Sequence, residues 1–465
     1  MTLRTACELA IIGGGPAGMA AATQASALGI DTLVLDEQPA PGGQIHRGIE
    51  TVQATRAADM RILGEDYAEG AVLTATFRAS GAAYEPGSVV WQALEDGRIG
   101  VSCDGASRML TARRILITTG AMERPVPLPG WTLPGVMGAG AAQTLLKASG
   151  MVPDVPVAII GTGPLIYLIA AQFVRAGVQI AAVLLTAPEV GMADAIKLLP
   201  GAMRSGRTLL KGLAWRSELR SAGVRMLHGV SRPVIEGAGQ VESVSYTHGG
   251  VRHRTPVGLV LLHNGVIPNT QLSLATRCKH EWDARQQYWR PQTDEWSATS
   301  HARIAVAGDG AGIMGARAAA SQGRMAALDA AVRLGKIDAA RRDAMVSDDR
   351  AELERQHALR EMLDRLFQPA QELLAPTGIG GVVCRCEDVT VSELEDAVEK
   401  GCTDVNRVKA FTRCGMGPCQ GRMCGPTVAQ VIARKLGQTP DVPGQFRIRL
   451  PVRPISLAEL AELQT

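Results

Sequence analysis

Six of the nine cysteines fall between Cys384 and Cys424, while Cys7, Cys103 and Cys278 are scattered. Cys384-Arg-Cys386 gives C-x-C, and Cys419-Gln-Gly-Arg-Met-Cys424 gives C-x4-C. Four thiolates in this order, separated by a long helical insert, suit a [2Fe-2S] cluster. Helix N-termini and N–H groups of glycine-rich loops ease the charge on the sulfurs. Cys384, Cys386, Cys419 and Cys424 are the preferred ligands. Cys414 competes for one position, and Cys402 reads as a buried neutral thiol. Zinc is the alternative, but structural zinc favours C-x2-4-C pairs, so C-x-C counts against it. An odd cysteine count with no cleavable leader expected points to a metal site in a reducing cytoplasm rather than a disulfide scaffold.

A second kind of chemistry is written between Leu9 and Asp36. Gly13, Gly15 and Gly18 form G-x-G-x-x-G, with Pro16 and Ala17 inside it. The first glycine permits a tight turn, the second lets backbone approach a pyrophosphate, and the third lets the following helix pack on the strand. The helix N–H groups and dipole then face the phosphates. Leu33 to Leu35 supply the next strand, and Asp36, followed by Glu37 and Gln38, stands where ribose hydroxyls are read. Further along, Pro41-Gly-Gly43-Gln44 lets backbone run close to a ligand, and Thr118-Thr119-Gly120 ends a strand in small residues. Gly308-Asp309 ends another, where a carboxylate either bonds a ribitol hydroxyl or caps the next helix.

A second glycine turn, Val157 to Ile166, keeps Gly161 and Gly163 but carries Ile166 at the third position. The strand after it, Ile180 to Leu185, ends in Thr186, with no acid and no arginine. NAD(H) is therefore disfavoured, and the other reading is a Rossmann domain that has lost its cofactor or holds another ligand. His46 follows the Gly42-Gly43 pair, where a packing role is commoner than one facing a cofactor.

These sites need α/β elements to hold them. The 465 residues are too many for one core, and 46% hydrophobic with 20% charged is ordinary for a globular protein. A net charge of +3, with no basic block interleaved with aromatics, gives no reason to expect nucleic acid. Val155 to Leu185 is apolar but broken by Gly161, Gly163, Pro164 and Arg175, so no integral membrane segment is expected. A helix is expected over Met203 to Ala222, and charged residues 335 to 370 read as a linker helix. Thr390 and Glu393 make a capping-box pattern, Gly401 stops that helix, and Pro426 opens another. The tail Arg447 to Pro454 is extended by its prolines and either clamps a partner or lies on its own domain.

Residues 9 to 330 resemble the two-dinucleotide-domain flavoproteins such as thioredoxin reductase, through Gly13 to Gly18, Pro41 to Gln44, Thr118 to Gly120 and Gly308-Asp309. Residues 384 to 424 resemble the bacterioferritin-associated-ferredoxin-like [2Fe-2S] module. Together, with Thr412-Arg-Cys-Gly-Met-Gly-Pro-Cys-Gln-Gly-Arg422, they resemble the α (A-type) subunits of heteromeric FAD-dependent amino-acid dehydrogenases: opine oxidases, proline and D-hydroxyproline dehydrogenases, and hydrogen cyanide synthase. The disulfide reductases need a C-x2-C or C-x4-C beside the flavin, which is absent before Cys384, so thiol reduction is excluded.

The resemblance implies two interleaved Rossmann-like domains, an FAD-type one over 1–125 and 265–335 and an NAD-type one over 126–264. A linker over 336–380, a [2Fe-2S] domain over 381–438 and a tail over 439–465 follow. It further implies FAD or an adenine nucleotide at the first site, an FMN shared at a subunit interface, and a partner β subunit whose FAD oxidises the amine. A small third subunit, an acceptor such as quinone, and a cytoplasmic location at or near the inner membrane complete the expectation. Two rival functions are a self-contained NADH-dependent oxidoreductase and a non-catalytic nucleotide- and metal-binding scaffold.

Overall fold

The apolar run before the first glycine turn forms the strand Ala6–Ile12, buried along Leu9 to Ile12. It lies parallel between Thr32–Asp36 and the long strand Ala106–Ile117. Ala83–Pro86 and Ile304–Val306 add parallel partners at either side, and Arg98–Cys103 and Val89–Ala93 continue the sheet antiparallel, making seven strands. Helix Pro16–Ala27 packs its alanines on one face, and helix Ala316–Arg333 lies against it. Gly323 sets their closeness: a Cβ there would stand 2.1 Å from the Ala17 carbonyl oxygen.

A second parallel sheet has the order Met226–Leu227, Ile180–Leu185, Val157–Thr162, Leu259–Asn264, Val136–Gly138. Its three central strands, Ile180–Leu185, Val157–Thr162 and Leu259–Asn264, are buried and read as near-continuous apolar runs, while the two edge strands are half-buried. A three-stranded antiparallel sheet, Ser231–Glu236, Ser243–His248 and Val251–Pro256, accompanies it.

The computed structural model describes residues 4–188, 206–378 and 381–463. They form two compact units. One is Met1–Met122, Ile267–His357 and Ile448–Thr465; the other is Glu123–Val266 and Ala358–Arg447. The cysteine module thus belongs to the same unit as the second glycine turn. Charged residues 335–370 form not one helix but two, Ala339–Ala344 and Ser347–Leu366, with the short helix Gln371–Leu374 after them, and the border between units falls inside the second. The expected helix Met203 to Ala222 is described from Gly206 to Ser221, and Met203 to Ser205 lie outside the described residues.

The tail lies on its own chain. Val452 is buried, its N–H donates to the Trp91 carbonyl at 2.8 Å, and Ile448 and Leu450 pack on the core of the first unit. Arg453 pairs with Glu37 at 2.7 Å. Among the described residues no helix is long and apolar enough to cross a membrane.

Candidate functional site

The first glycine turn closes so tightly that side chains are excluded. Gly13 has φ +116, and a Cβ there would lie 2.5 Å from the Thr118 carbonyl oxygen; one on Gly18 would lie 1.9 Å from that of Gly13. Gly15 and Gly43 face each other, since a Cβ on Gly43 would stand 2.9 Å from the Gly15 Cα. Helix Pro16–Ala27 begins with Pro16 and no capping side chain, leaving its first N–H groups to a ligand. Ala17 packs against Gly308, whose φ of +75 carries the chain past it.

Asp36, 5% exposed, lies with its carboxylate against Gly14 and accepts from the Tyr84 hydroxyl (3.1 Å) and the Gln38 N–H (3.2 Å). Burial raises its pKa. Arg47, bonded to the Gln38 Oε1, sits in the field of Asp36 and Glu37 with a buried Nε that has no hydrogen-bond partner. A glycine cradle, an open helix N-terminus, a buried acid and an unsatisfied guanidinium nitrogen fit the pyrophosphate and ribose of an adenine dinucleotide. Nothing in the sequence singled out Arg47; it is one basic residue after a loop.

The other predicted residues are less uniform. Thr118, not Thr119, ties the strand end to the turn, donating to the Ile12 and Gly13 carbonyls at 3.0 and 2.9 Å. Thr119 donates to Asn269 O at 3.3 Å, and the Gly120 carbonyl accepts the Asn269 N–H at 2.9 Å. Asp309 Oδ1 accepts the N–H groups of Met314 (3.0 Å) and Gly315 (2.9 Å), so this carboxylate orders the turn into helix Ala316–Arg333. Gln44 is exposed. His46 is a packing residue, with Nδ1 3.2 Å from Tyr67 O and its ring against Gly70.

The second turn keeps its shape, with Gly161 at φ +140 and Gly163 at φ +124. Ile166, wholly buried, fills the place of the third glycine.

In the cysteine module the thiols of Cys384, Cys414 and Cys424 are buried and lie within 4.8 Å of one another. Cys386, exposed, hydrogen-bonds with Cys419. The competing residue Cys414 thus groups with Cys384 and Cys424, and Cys386 with Cys419. Cys402 is half-buried, outside this group. Thiol hydrogen bonds from Cys414 and Cys424, with backbone N–H groups of Gly415 and Glu387, push the Cys384 pKa far down, so Cys384 is the favoured thiolate.

The scaffold of this loop was only partly foreseeable. Helix Val391–Glu399 carries the expected Thr390–Glu393 capping box. The Trp131 indole N–H donates to Val382 O at 2.6 Å, and Arg385 stacks 5.0 Å over its ring, fixing strand Val382–Cys384 and the turn that carries Cys386. Phe446, 6% exposed, fills the space beside Gly415 and Gly421. The bare glycines were legible, but not the ring that occupies their missing side chains.

Fold and first site define a flavin-dependent oxidoreductase built on two dinucleotide-type domains. Residues 7–323 match the model of the pyridine nucleotide-disulphide oxidoreductase family, and residues 382–463 match the sarcosine oxidase A3 domain. The A-type subunit of opine oxidase from Agrobacterium tumefaciens (strain Ach5) is 42% identical, with 98% of this chain and 92% of that protein covered. The HcnB subunit of hydrogen cyanide synthase from Pseudomonas aeruginosa is 32% identical over 98% of each. The crystal structure of L-proline dehydrogenase from P. horikoshii superposes with a TM-score of 0.69 over 98% of this chain and 80% of that one; at 19% identity this speaks to fold alone. The chain belongs to the pyridine nucleotide-disulphide oxidoreductase family and, within it, to the heteromeric oxidase subunits represented by the A-type subunit of opine oxidase.

Proposed function

We propose that this chain is the electron-transfer subunit of a heteromeric flavin- and [2Fe-2S]-dependent amino-acid dehydrogenase or oxidase of the proline/hydroxyproline, opine or glycine type. It receives electrons from a partner subunit whose flavin oxidises the amine and passes them to an acceptor such as quinone, in the cytoplasm or against the inner membrane. The observation that carries this reading is the thiol group: Cys384, Cys414 and Cys424 mutually within 4.8 Å, with the bonded pair Cys386–Cys419 beside them. Each iron of a [2Fe-2S] cluster takes two thiolates, and the Cys384/Cys424 and Cys386/Cys419 pairs supply them. Cys414 is then an additional buried thiol.

FAD belongs at the first turn, where Gly13, Gly15 and Gly18 admit the pyrophosphate, Asp36 accepts ribose hydroxyls, and Gly43 brings a second backbone within reach. When bound, a flavin accepts an electron pair and releases single electrons, and a [2Fe-2S] cluster carries one at a time. The chain's own part is positional. Asp309 orders the turn before helix Ala316–Arg333, and Trp131 and Arg385 fix the cysteine strand. The three cysteines outside the module stand apart from one another in the sequence, which supports electron relay over thiol reduction.

The test is a cofactor inventory after anaerobic purification, alone and with co-expressed partner candidates. FAD, two irons per chain and an S = ½ signal after dithionite, with bleaching by an amino acid only when a partner is present, is the expected result. Bleaching by NADH without a partner would replace this reading with a self-contained reductase. Zinc without flavin would leave a scaffold.

A further inference from the structure

We infer that His263 closes the second dinucleotide-type domain: its imidazole, braced by Glu123, stands where a dinucleotide's pyrophosphate would lie and bars reduced nicotinamide cofactors from the chain. The inference concerns ligand selection in the second unit alone, and it holds whatever the cysteine module carries.

In a dinucleotide fold the second glycine of the turn is bare so that a pyrophosphate can pack on its backbone. The two turns of this chain differ in what faces that glycine. At Gly15 the nearest atom to an added Cβ is the Gly43 Cα, at 3.7 Å, so backbone alone borders the space. At Gly163 the nearest atoms are Nε2 and Cδ2 of His263, at 3.2 and 3.3 Å. The strand Leu259–Asn264 delivers the ring there: it runs parallel to Val157–Thr162 with His263 opposite Gly161 and Asn264 opposite Thr162. The contact is fixed by backbone as well, since a Cβ on Gly161 would stand 1.7 Å from the His263 carbonyl oxygen. Among the described residues, no atom of Ile166 or Thr186 comes within 4 Å of the Gly163 Cβ position. Those two departures weaken helix packing and ribose reading, and His263 is the residue that takes the pyrophosphate's place.

The ring is held in this position. His263 is 2% exposed, and its Nδ1 lies 2.7 Å from Glu123 Oε1. Glu123 in turn accepts the Gly140 N–H through both oxygens, at 3.0 and 3.2 Å, at the start of helix Ala139–Ser149. Its Oε2 fills the space beside Gly138, 2.1 Å from where a Cβ would stand. Swinging the imidazole aside would strip this carboxylate of a partner, which is costly in a largely buried place. With Nδ1–H donated to Glu123, Nε2 presents a lone pair to the turn. Phosphate oxygens are acceptors too, so ring and ligand repel instead of bonding, and the Glu123 carboxylate adds a like charge nearby. Volume and charge therefore act together against a dinucleotide at Gly163.

The experiment titrates NADH calorimetrically into the full chain carrying its flavin, with thermal midpoint and flavin per chain recorded for each variant. Wild type is expected to show no NADH binding up to about 1 mM. His263→Ala should gain binding with a Kd at least about tenfold below that limit. Because this variant strands the Glu123 carboxylate, the double variant Glu123→Gln/His263→Ala is carried beside it; it removes the stranded charge and should bind NADH at least as well. Glu123→Gln alone keeps the ring and an oxygen for Nδ1–H, so it should stay closed. NADH binding by wild type below about 1 mM would overturn the inference. So would the absence of any gain in both His263→Ala and the double variant when they retain flavin, or opening by Glu123→Gln without opening by His263→Ala.

Discussion

Each cysteine of the module has its own consequence. If the pairs Cys384/Cys424 and Cys386/Cys419 hold the irons, Cys414→Ser should keep full iron content and the reduced EPR signal, while Cys386→Ser and Cys424→Ser lose both. Loss in Cys414→Ser with retention in Cys386→Ser would move Cys414 into the ligand set. A pH effect belongs to His280. Burial pushes its pKa from 6.5 down to about 4, with Nδ1 on the Cys278 carbonyl at 2.7 Å and Nε2 on Ser273 Oγ at 3.0 Å. The folded chain therefore keeps His280 neutral. Its contribution is present above pH 6.5 and is lost as pH falls toward about 4, where the unfolded chain takes up a proton first. The size is up to about 3 kcal/mol. His280→Gln should flatten the fall in thermal midpoint across that window, and an unchanged fall would remove His280 from the account. At this scale the sequence was legible wherever a residue type is compulsory, as at Gly13, Gly18 and Asp36. It was silent wherever a partner comes from far along the chain: Trp131 on Val382 across 251 positions, or His263 on Glu123 across 140.

Elements test the same logic through caps and packing. Thr390 Oγ1 accepts the Glu393 N–H at 3.3 Å, and Glu393 Oε2 accepts the Thr390 N–H at 2.8 Å. Thr390→Ala should cost about 1 kcal/mol in a denaturant titration with unchanged slope. Gly323→Val forces a side chain onto the Ala17 carbonyl and pushes helix Ala316–Arg333 off helix Pro16–Ala27. The expected cost is about 1–3 kcal/mol, with lower flavin absorbance per chain after purification. Strands and helices beside a glycine turn were readable because the apolar period changes there from continuous to helical. The linker was not, because its helices bear charge on most faces and the break between them, from Ala344 to Ser347, depends on tertiary anchors such as the buried Val346.

At the scale of the whole molecule, the tail decides the integrity of the first unit. Val452 is 4% exposed beneath the core that also contains Ile99, Leu110 and Ile304. Val452→Asp should lower the thermal midpoint and the retained flavin together, since burying an unpaired carboxylate there is prohibitive. An unchanged midpoint would mean the segment is dispensable.

The three-part first unit also fixes an order of events during synthesis. Residues 358–447, belonging to the other unit, separate its second segment from Ile448. A ribosome needs roughly 5 to 20 s to make those 90 residues at about 5–20 per second. Throughout that interval the apolar floor under Trp91 waits for its last segment, exposed to chaperones and to neighbouring nascent chains. A flavin arriving early would meet a unit not yet closed, so the yield of holoprotein should respond to translation speed across this stretch.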